Sequence, residues 1–155
     1  MNDENINEDK TTEQMEDTVE RAVPETWDEL VGEYPALASM PRVKTAYEYS
    51  PTETALFTIM YQHVIDGLAE LRKLGFFDGK VRARNNERVL VSMAEIVEYA
   101  DRFYRSVAED AEKYDAWMKG RELYDLFLML VVIVQFHWRE LGKSSRSKTA
   151  SPTVA

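Results

Sequence analysis

From Leu90 onward the apolar residues recur at alternating steps of three and four: Leu90, Met93, Val97, Ala100, Tyr104, Val107, Ala111, Tyr114, Met118. Only a helix brings residues at that spacing onto one face, so this pattern constrains the fold more than any other feature. The seam predicts about 30 residues of continuous helix, roughly 45 Å long. A flanking row of Val89, Ile96, Phe103 and Trp117 widens it beyond a two-stranded contact. Glu98–Arg102, Asp101–Arg105 and Glu109–Lys113 are expected as i, i+4 ion pairs on the outer face.

Two more helices follow from the same reasoning. Ser50 reads as an N-cap, Pro51 as the first helical residue, and Glu53 completes a capping box. Leu56, Ile59, Met60, Val64, Leu68, Leu71 and Leu74 then form an apolar stripe, ended by Gly75 with Phe76 packing back on Leu71. Gly67 lies on the stripe, where a missing side chain lets another helix approach. Asn85 or Asn86 is placed to cap the seam helix. Gly120 permits a turn into a third helix, Glu122–Leu141, which carries nine unbroken apolar residues from Leu126 to Val134. A membrane span needs about 20, so this run reads as a central buried helix and no membrane is expected. The expected fold is all-α: a small antiparallel bundle of three main helices over 50–141.

The ends differ from the body. The chain has 155 residues and a net charge of −9, with both histidines neutral. Residues 1–35 hold 12 acidic and two basic side chains, a net of −10; residues 36–155 hold 16 acidic and 17 basic, a net of +1. Residues 1–23 are too poor in apolar side chains to offset the entropy of ordering and read as a disordered acidic arm. Their acidic start is unlike a signal peptide. Residues 24–49 hold Pro24, Pro35 and Pro41 and read as an apolar strap with one short helix. Residues 142–155, rich in Ser and Thr, read as a disordered basic tail.

The chemistry of the side chains excludes several classes. With no cysteine there are no disulfides and no thiolate chemistry, which suits a reducing cytoplasm. The acidity argues against a nucleic-acid partner. Gly142-Lys143-Ser144 fails as a phosphate loop, because His137 stands where the first glycine belongs and no strand precedes. His63 falls on the first helix's stripe and is expected to be partly buried with its ring hydrogen-bonded. Neither metal nor cofactor is expected, for no ligand spacing of the zinc or di-iron kind occurs. No serine nucleophile motif is present. The expectation is a non-enzymatic protein.

Three groups are candidates for partner binding. Trp27, Leu30 and Val31 share a face in an acidic surround; they read either as a linear motif for a hydrophobic groove or as a small element folded onto the bundle. Lys80, Arg82 and Arg84 belong to a basic connector reaching Arg88, either a solvated face or a docking patch for an acidic segment such as the chain's own arm. Tyr104, Tyr114, Trp117 and Met118 are adaptable anchors, or ordinary core.

The acidic arm, the Pro-rich lead into Ser50-Pro51-Thr52-Glu53, the compact helical body and the switch to low complexity after Leu141-Gly142-Lys143 together resemble the tail assembly chaperones of long-tailed bacteriophages. The resemblance covers about residues 25–143. It implies a chaperone that keeps the tape-measure protein soluble and, in a frameshifted longer form, recruits tail-tube subunits in the host cytoplasm. A Gly-Lys pair suits such a frameshift, since a slippery run of G and A encodes it. The alternative is a small acidic regulatory or inhibitor protein binding a basic partner. A further one is an enzyme with a pocket lined by His63 and carboxylates. A homo-oligomer is left open, because the seam can face the third helix or another subunit.

Overall fold

The computed structural model describes residues 23–150, with side chains through Lys143. The described part is all-helical. Its α-helices are α1 (Trp27–Glu33), α2 (Pro51–Lys73), α3 (Asn86–Val107), α4 (Ala111–Met118) and α5 (Leu123–Ala150). Single turns of 3-10 helix cover Pro35–Ser39, Ala46–Glu48 and Ala83–Asn85. The expected disorder of residues 1–22 and 151–155 lies outside the described residues. The C-terminal helix, however, runs on past the expected end at Leu141 to Ala150.

The punctuation of α2 follows its sequence closely. Ser50 Oγ accepts from the Glu53 amide at 3.1 Å, and Glu53 Oε1 accepts from the Ser50 amide at 2.9 Å, so two otherwise orphaned donors are satisfied. At the other end Gly75 sits at φ +83°, a conformation that costs a side-chain-bearing residue steric strain. That geometry lets the Phe76 amide donate to the Leu71 carbonyl and the Gly75 amide to that of Arg72, closing the helix. The α3 start differs from expectation. Asn85 holds the N-cap position but makes no side-chain cap bond.

The seam helix is broken. Helix α3 stops at Val107, and the chain pairs Ala108 with Val43 of the strap in an isolated antiparallel bridge. The Lys44 amide donates to the Val107 carbonyl, and the Glu109 amide to that of Arg42. Asp110 then caps α4 by accepting from the Lys113 amide at 3.1 Å. An expected 30-residue rod is thus two helices, because the strap supplies hydrogen-bond partners that compete with helix continuation. The expected ion pairs change with it. Glu98–Arg102 forms at 2.9 Å. Arg105 turns to Asp115 at 3.0 Å instead of to Asp101. Glu109, now before the second cap, pairs with Arg42.

Helix α3 packs against both α2 and α5, while α2 and α5 barely meet. It therefore buries both apolar rows: Val89, Met93, Ile96, Val97, Ala100, Phe103, Tyr104 and Val107 are all in the core. Leu90, the expected start of the seam, is 56% exposed. On α2 the buried line begins at Phe57 and passes through Met60, Val64, Leu68 and Leu71. Leu56 and Ile59, expected on that stripe, lie to its side and face outward. Where α2 crosses α3, a Cβ on Gly67 would come 2.5 Å from Ile96 Cγ1, so the close approach depends on glycine.

The strap is an integral part of the core. Leu30, Leu37, Val43 and Ala46 are all buried, and so is Val23 just before it, the last residue of the arm expected to be disordered. Thr26 caps α1 by accepting from the Glu29 amide at 3.2 Å. Trp117 on α4 donates from Nε1 to Ser39 Oγ at 3.2 Å, and Arg139 on α5 donates to the Pro24 carbonyl. The strap is therefore tied to both halves of the body.

Candidate functional site

The expected site residues fall in three separate places. Leu30 is fully buried, and Trp27 sets its ring edge-on to Phe136, 5.7 Å between centroids, and parallel to His137 at 6.3 Å. Val31 packs against the same core. These three are thus a small element folded onto the body, not a free linear motif. Lys80, Arg82 and Arg84 are exposed or nearly so on the connector, with Arg88 donating to Glu70. The acidic arm proposed to cover them lies outside the described residues.

The third group has two readings, adaptable anchors or ordinary core, and its large side chains lie in the core. Tyr104 and Tyr114 are fully buried and Trp117 nearly so. Trp117 is held by Ser39 and by the Arg121 guanidinium, 4.7 Å above its ring. Met118 is half-buried against the same core. Tyr104, Tyr114 and Trp117 therefore meet a partner only if the fold opens, whereas Met118 keeps part of its surface.

Exposed apolar surface occurs elsewhere. Between α2 and α3 runs a shallow groove of about 390 Å³, lined by Leu56, Ile59, Met60, His63, Tyr99 and Phe103, with Arg102 and Ser106 at its edge. Leu56 is 49% and Ile59 56% exposed, far more than core side chains of that size. His63 is also exposed, and its ring stacks on Tyr99 with centroids 3.9 Å apart and planes 4° from parallel. His63, expected to be partly buried with its ring hydrogen-bonded, is instead a surface ring forming one wall of an apolar groove. No carboxylate lines that groove.

The buried histidine is the other one. His137 on α5 is 2% exposed and shares a 2.8 Å hydrogen bond through Nδ1 with the Tyr104 hydroxyl. Its Nε2 faces Glu140 Oε1 at 3.9 Å, one turn along the helix. In the tautomer with its proton on Nε2, Nδ1 accepts from the Tyr104 hydroxyl; in the other, Nδ1 donates to it. Burial pushes the imidazole down to about 4, so it is neutral near pH 7. Burial raises the Glu140 carboxyl, against a lowering from the Ala46 amide and Lys143. Burial also raises the Tyr49 and Tyr104 hydroxyls. Glu140 Oε1 and Tyr49 Oη are buried without a hydrogen-bond partner. This histidine–carboxylate pair floors a cleft of about 570 Å³ between the strap and α5.

Sequence reasoning missed this pair. The available signal was a histidine and a glutamate at i, i+3, just past an apolar run on a buried helix. Its Tyr104 partner, 33 residues away, gives no local sign.

No group of three metal-ligating side chains occurs among the described residues. No helix among them is long and apolar enough to cross a membrane. In comparisons with protein-family models, with curated proteins and with solved structures, the chain finds no match in any of the three.

Proposed function

We propose that this chain is a non-enzymatic protein-binding module, and that it acts as a tail assembly chaperone of the long-tailed bacteriophage kind. The observation that carries the binding reading is the α2–α3 groove with Leu56 and Ile59 turned outward. Two long helices side by side leave a furrow that accepts the apolar face of a third, through anchors at i, i+3, i+4 and i+7. A tape-measure protein offers such amphipathic helices in long supply, and covering them keeps it soluble. The finer parts of the reading rest on the sequence resemblance alone: the recruitment of tail-tube subunits by a longer form, and the host cytoplasm as the place of action.

The test is co-expression with a tape-measure fragment. Wild-type protein is expected to keep the fragment in the soluble fraction. The double substitution Leu56→Glu, Ile59→Glu places two charges on exposed positions, so its melting temperature should match wild type while the rescue is lost. A fragment that precipitates equally with and without the wild-type protein defeats the chaperone reading. Rescue that survives the double substitution but disappears at high salt points to the alternative, an acidic regulatory protein binding a basic partner.

A further inference from the structure

The end of α2, the connector and the first turns of α3 and α5 meet at one pole of the body. Arg88 on α3 donates to Glu70 on α2, and the Phe76 ring lies 6.5 Å from that of Tyr124 on α5. This pole is basic. Residues 70–88 hold six basic side chains (Arg72, Lys73, Lys80, Arg82, Arg84, Arg88) and three acidic ones, a net of +3 in a chain whose total is −9. Glu70 is taken by Arg88. Lys73, Arg82 and Arg84 are exposed, and none of the three has a side-chain ion pair among the described residues. Residues 119–125 alongside add two bases and two acids and leave the balance unchanged. Leu90, Val91 and Tyr124 at the same pole are 56%, 50% and 46% exposed, so the basic surface adjoins apolar surface.

Residues 1–22 carry eight acidic and two basic side chains, a net of −6. They join the body at Val23, which is buried, and Pro24, whose carbonyl accepts from Arg139 on α5. From Arg139 back to Leu123 at the basic pole, α5 runs about 24 Å. A 22-residue coil has a root-mean-square span of roughly 25 Å. Reach thus matches distance, the condition that gives a tethered segment its highest effective concentration, in the millimolar range. We propose that residues 1–22 dock in cis on the basic pole, with Lys73, Arg82 and Arg84 donating to their carboxylates, and so withhold the pole from acidic segments of other proteins. The few apolar side chains of the segment, Ile6, Met15 and Val19, have Leu90, Val91 and Tyr124 to cover. A single-stranded nucleic acid meets the charge requirement but lacks the tether. The pole lies about 20 Å along α2 from Leu56, so the inference stands apart from the groove and the chaperone reading.

Nuclear magnetic resonance on the full chain tests the contact. The chain has no cysteine, so Asn5→Cys takes a single nitroxide label near the far end of the segment. At low salt the label is expected to broaden the amides of 79–88 selectively. At 1 M salt, where the screening length is about 3 Å, that broadening should be lost. Arg82→Glu with Arg84→Glu, both at exposed positions, should abolish it at low salt with the melting temperature retained. Broadening spread evenly over the surface, or unchanged by salt and by the double substitution, overturns the contact. Equal broadening when labelled protein is mixed with unlabelled, isotope-enriched protein means docking between copies and overturns the assignment in cis. Masking is read by titration with a hexaglutamate peptide. Glu13→Gln, Glu16→Gln, Asp17→Asn and Glu20→Gln together should tighten its binding about tenfold, the ratio of an effective concentration near 1 mM to an intrinsic contact of about 0.1 mM. Unchanged hexaglutamate affinity overturns the masking. A neutralised variant that binds a single-stranded oligothymidylate but not hexaglutamate makes the pole a nucleic-acid surface and overturns the acidic-segment assignment.

Discussion

His137 carries the clearest single-residue consequence. Its folded-state value of about 4 lies below the ordinary 6.5, so the unfolded chain takes up a proton that the folded chain refuses. Stability therefore falls as pH drops through the window from 6.5 toward 4, by about 2–3 kcal/mol at pH 4.5. Glu140 works in the opposite sense. Its raised carboxyl takes a proton more readily when folded, which returns some stability on acidification. His137→Gln removes the imidazole's share. Urea midpoints at pH 7 and pH 4.5 should fall less for that variant than for wild type; parallel falls would mean that the ring is not buried neutral. A second pair of substitutions has opposite signs. Gly67→Ala forces a Cβ onto Ile96, which is 1% exposed and has nowhere to move, at a cost of about 1–2 kcal/mol. Gly32→Ala meets nothing within 4 Å and should gain about 0.5–1 kcal/mol from helix propensity. The role of Gly67 was legible in the sequence, because it interrupts an apolar stripe. The fates of the two histidines were not. His63 sits at helical spacing among apolar residues yet lies beside the buried line, and the burial of His137 depends on Tyr104 and the strap.

At the scale of elements, capping boxes and glycine stops were readable because they are local. Ser50, Glu53 and Gly75 satisfy donors and acceptors within a few residues. The break at Ala108 was not readable. The apolar spacing continues through it from Val107 to Ala111 and Tyr114, and nothing nearby but Asp110 hints at a second start. What decides the matter is the backbone of Arg42–Lys44, more than 60 positions earlier, which takes up the Val107 carbonyl and the Glu109 amide. Asp110→Ala removes the α4 cap and should lower stability by about 1 kcal/mol in denaturant titration. A loss near zero would show that the strap bridge alone sets the break. The same competition explains why Arg105 reaches Asp115 rather than its i−4 neighbour Asp101. A kink brings α4 side chains within range of α3 that a straight helix would carry away.

For the whole molecule, helical class and the approximate positions of the long helices followed from periodicity. Which helix lies in the middle did not. The apolar run of α5 suggested that role, yet α3 takes it by touching both α2 and α5, and the strap covers what α5 would otherwise expose. Periodicity reports how wide an apolar face is, not which neighbour fills it. The strap's weight is testable. Leu37 is 1% exposed in a Pro-bounded segment without a long helix, and Leu37→Ala should cost about 2–4 kcal/mol, as for any core leucine. A cost under about 1 kcal/mol would make the strap a loosely held cover. Two of the chain's three tryptophans sit against this strap: Trp27 is part of it, and Trp117 is bonded to its Ser39. Trp138 instead stacks on Tyr61 of α2, with centroids 4.0 Å apart. The protein therefore carries its own spectroscopic gauge. Lifting the strap would shift the emission of Trp27 and Trp117 to the red while leaving Trp138 on its tyrosine. Single-tryptophan variants would then time the strap's departure separately from the unfolding of the long helices.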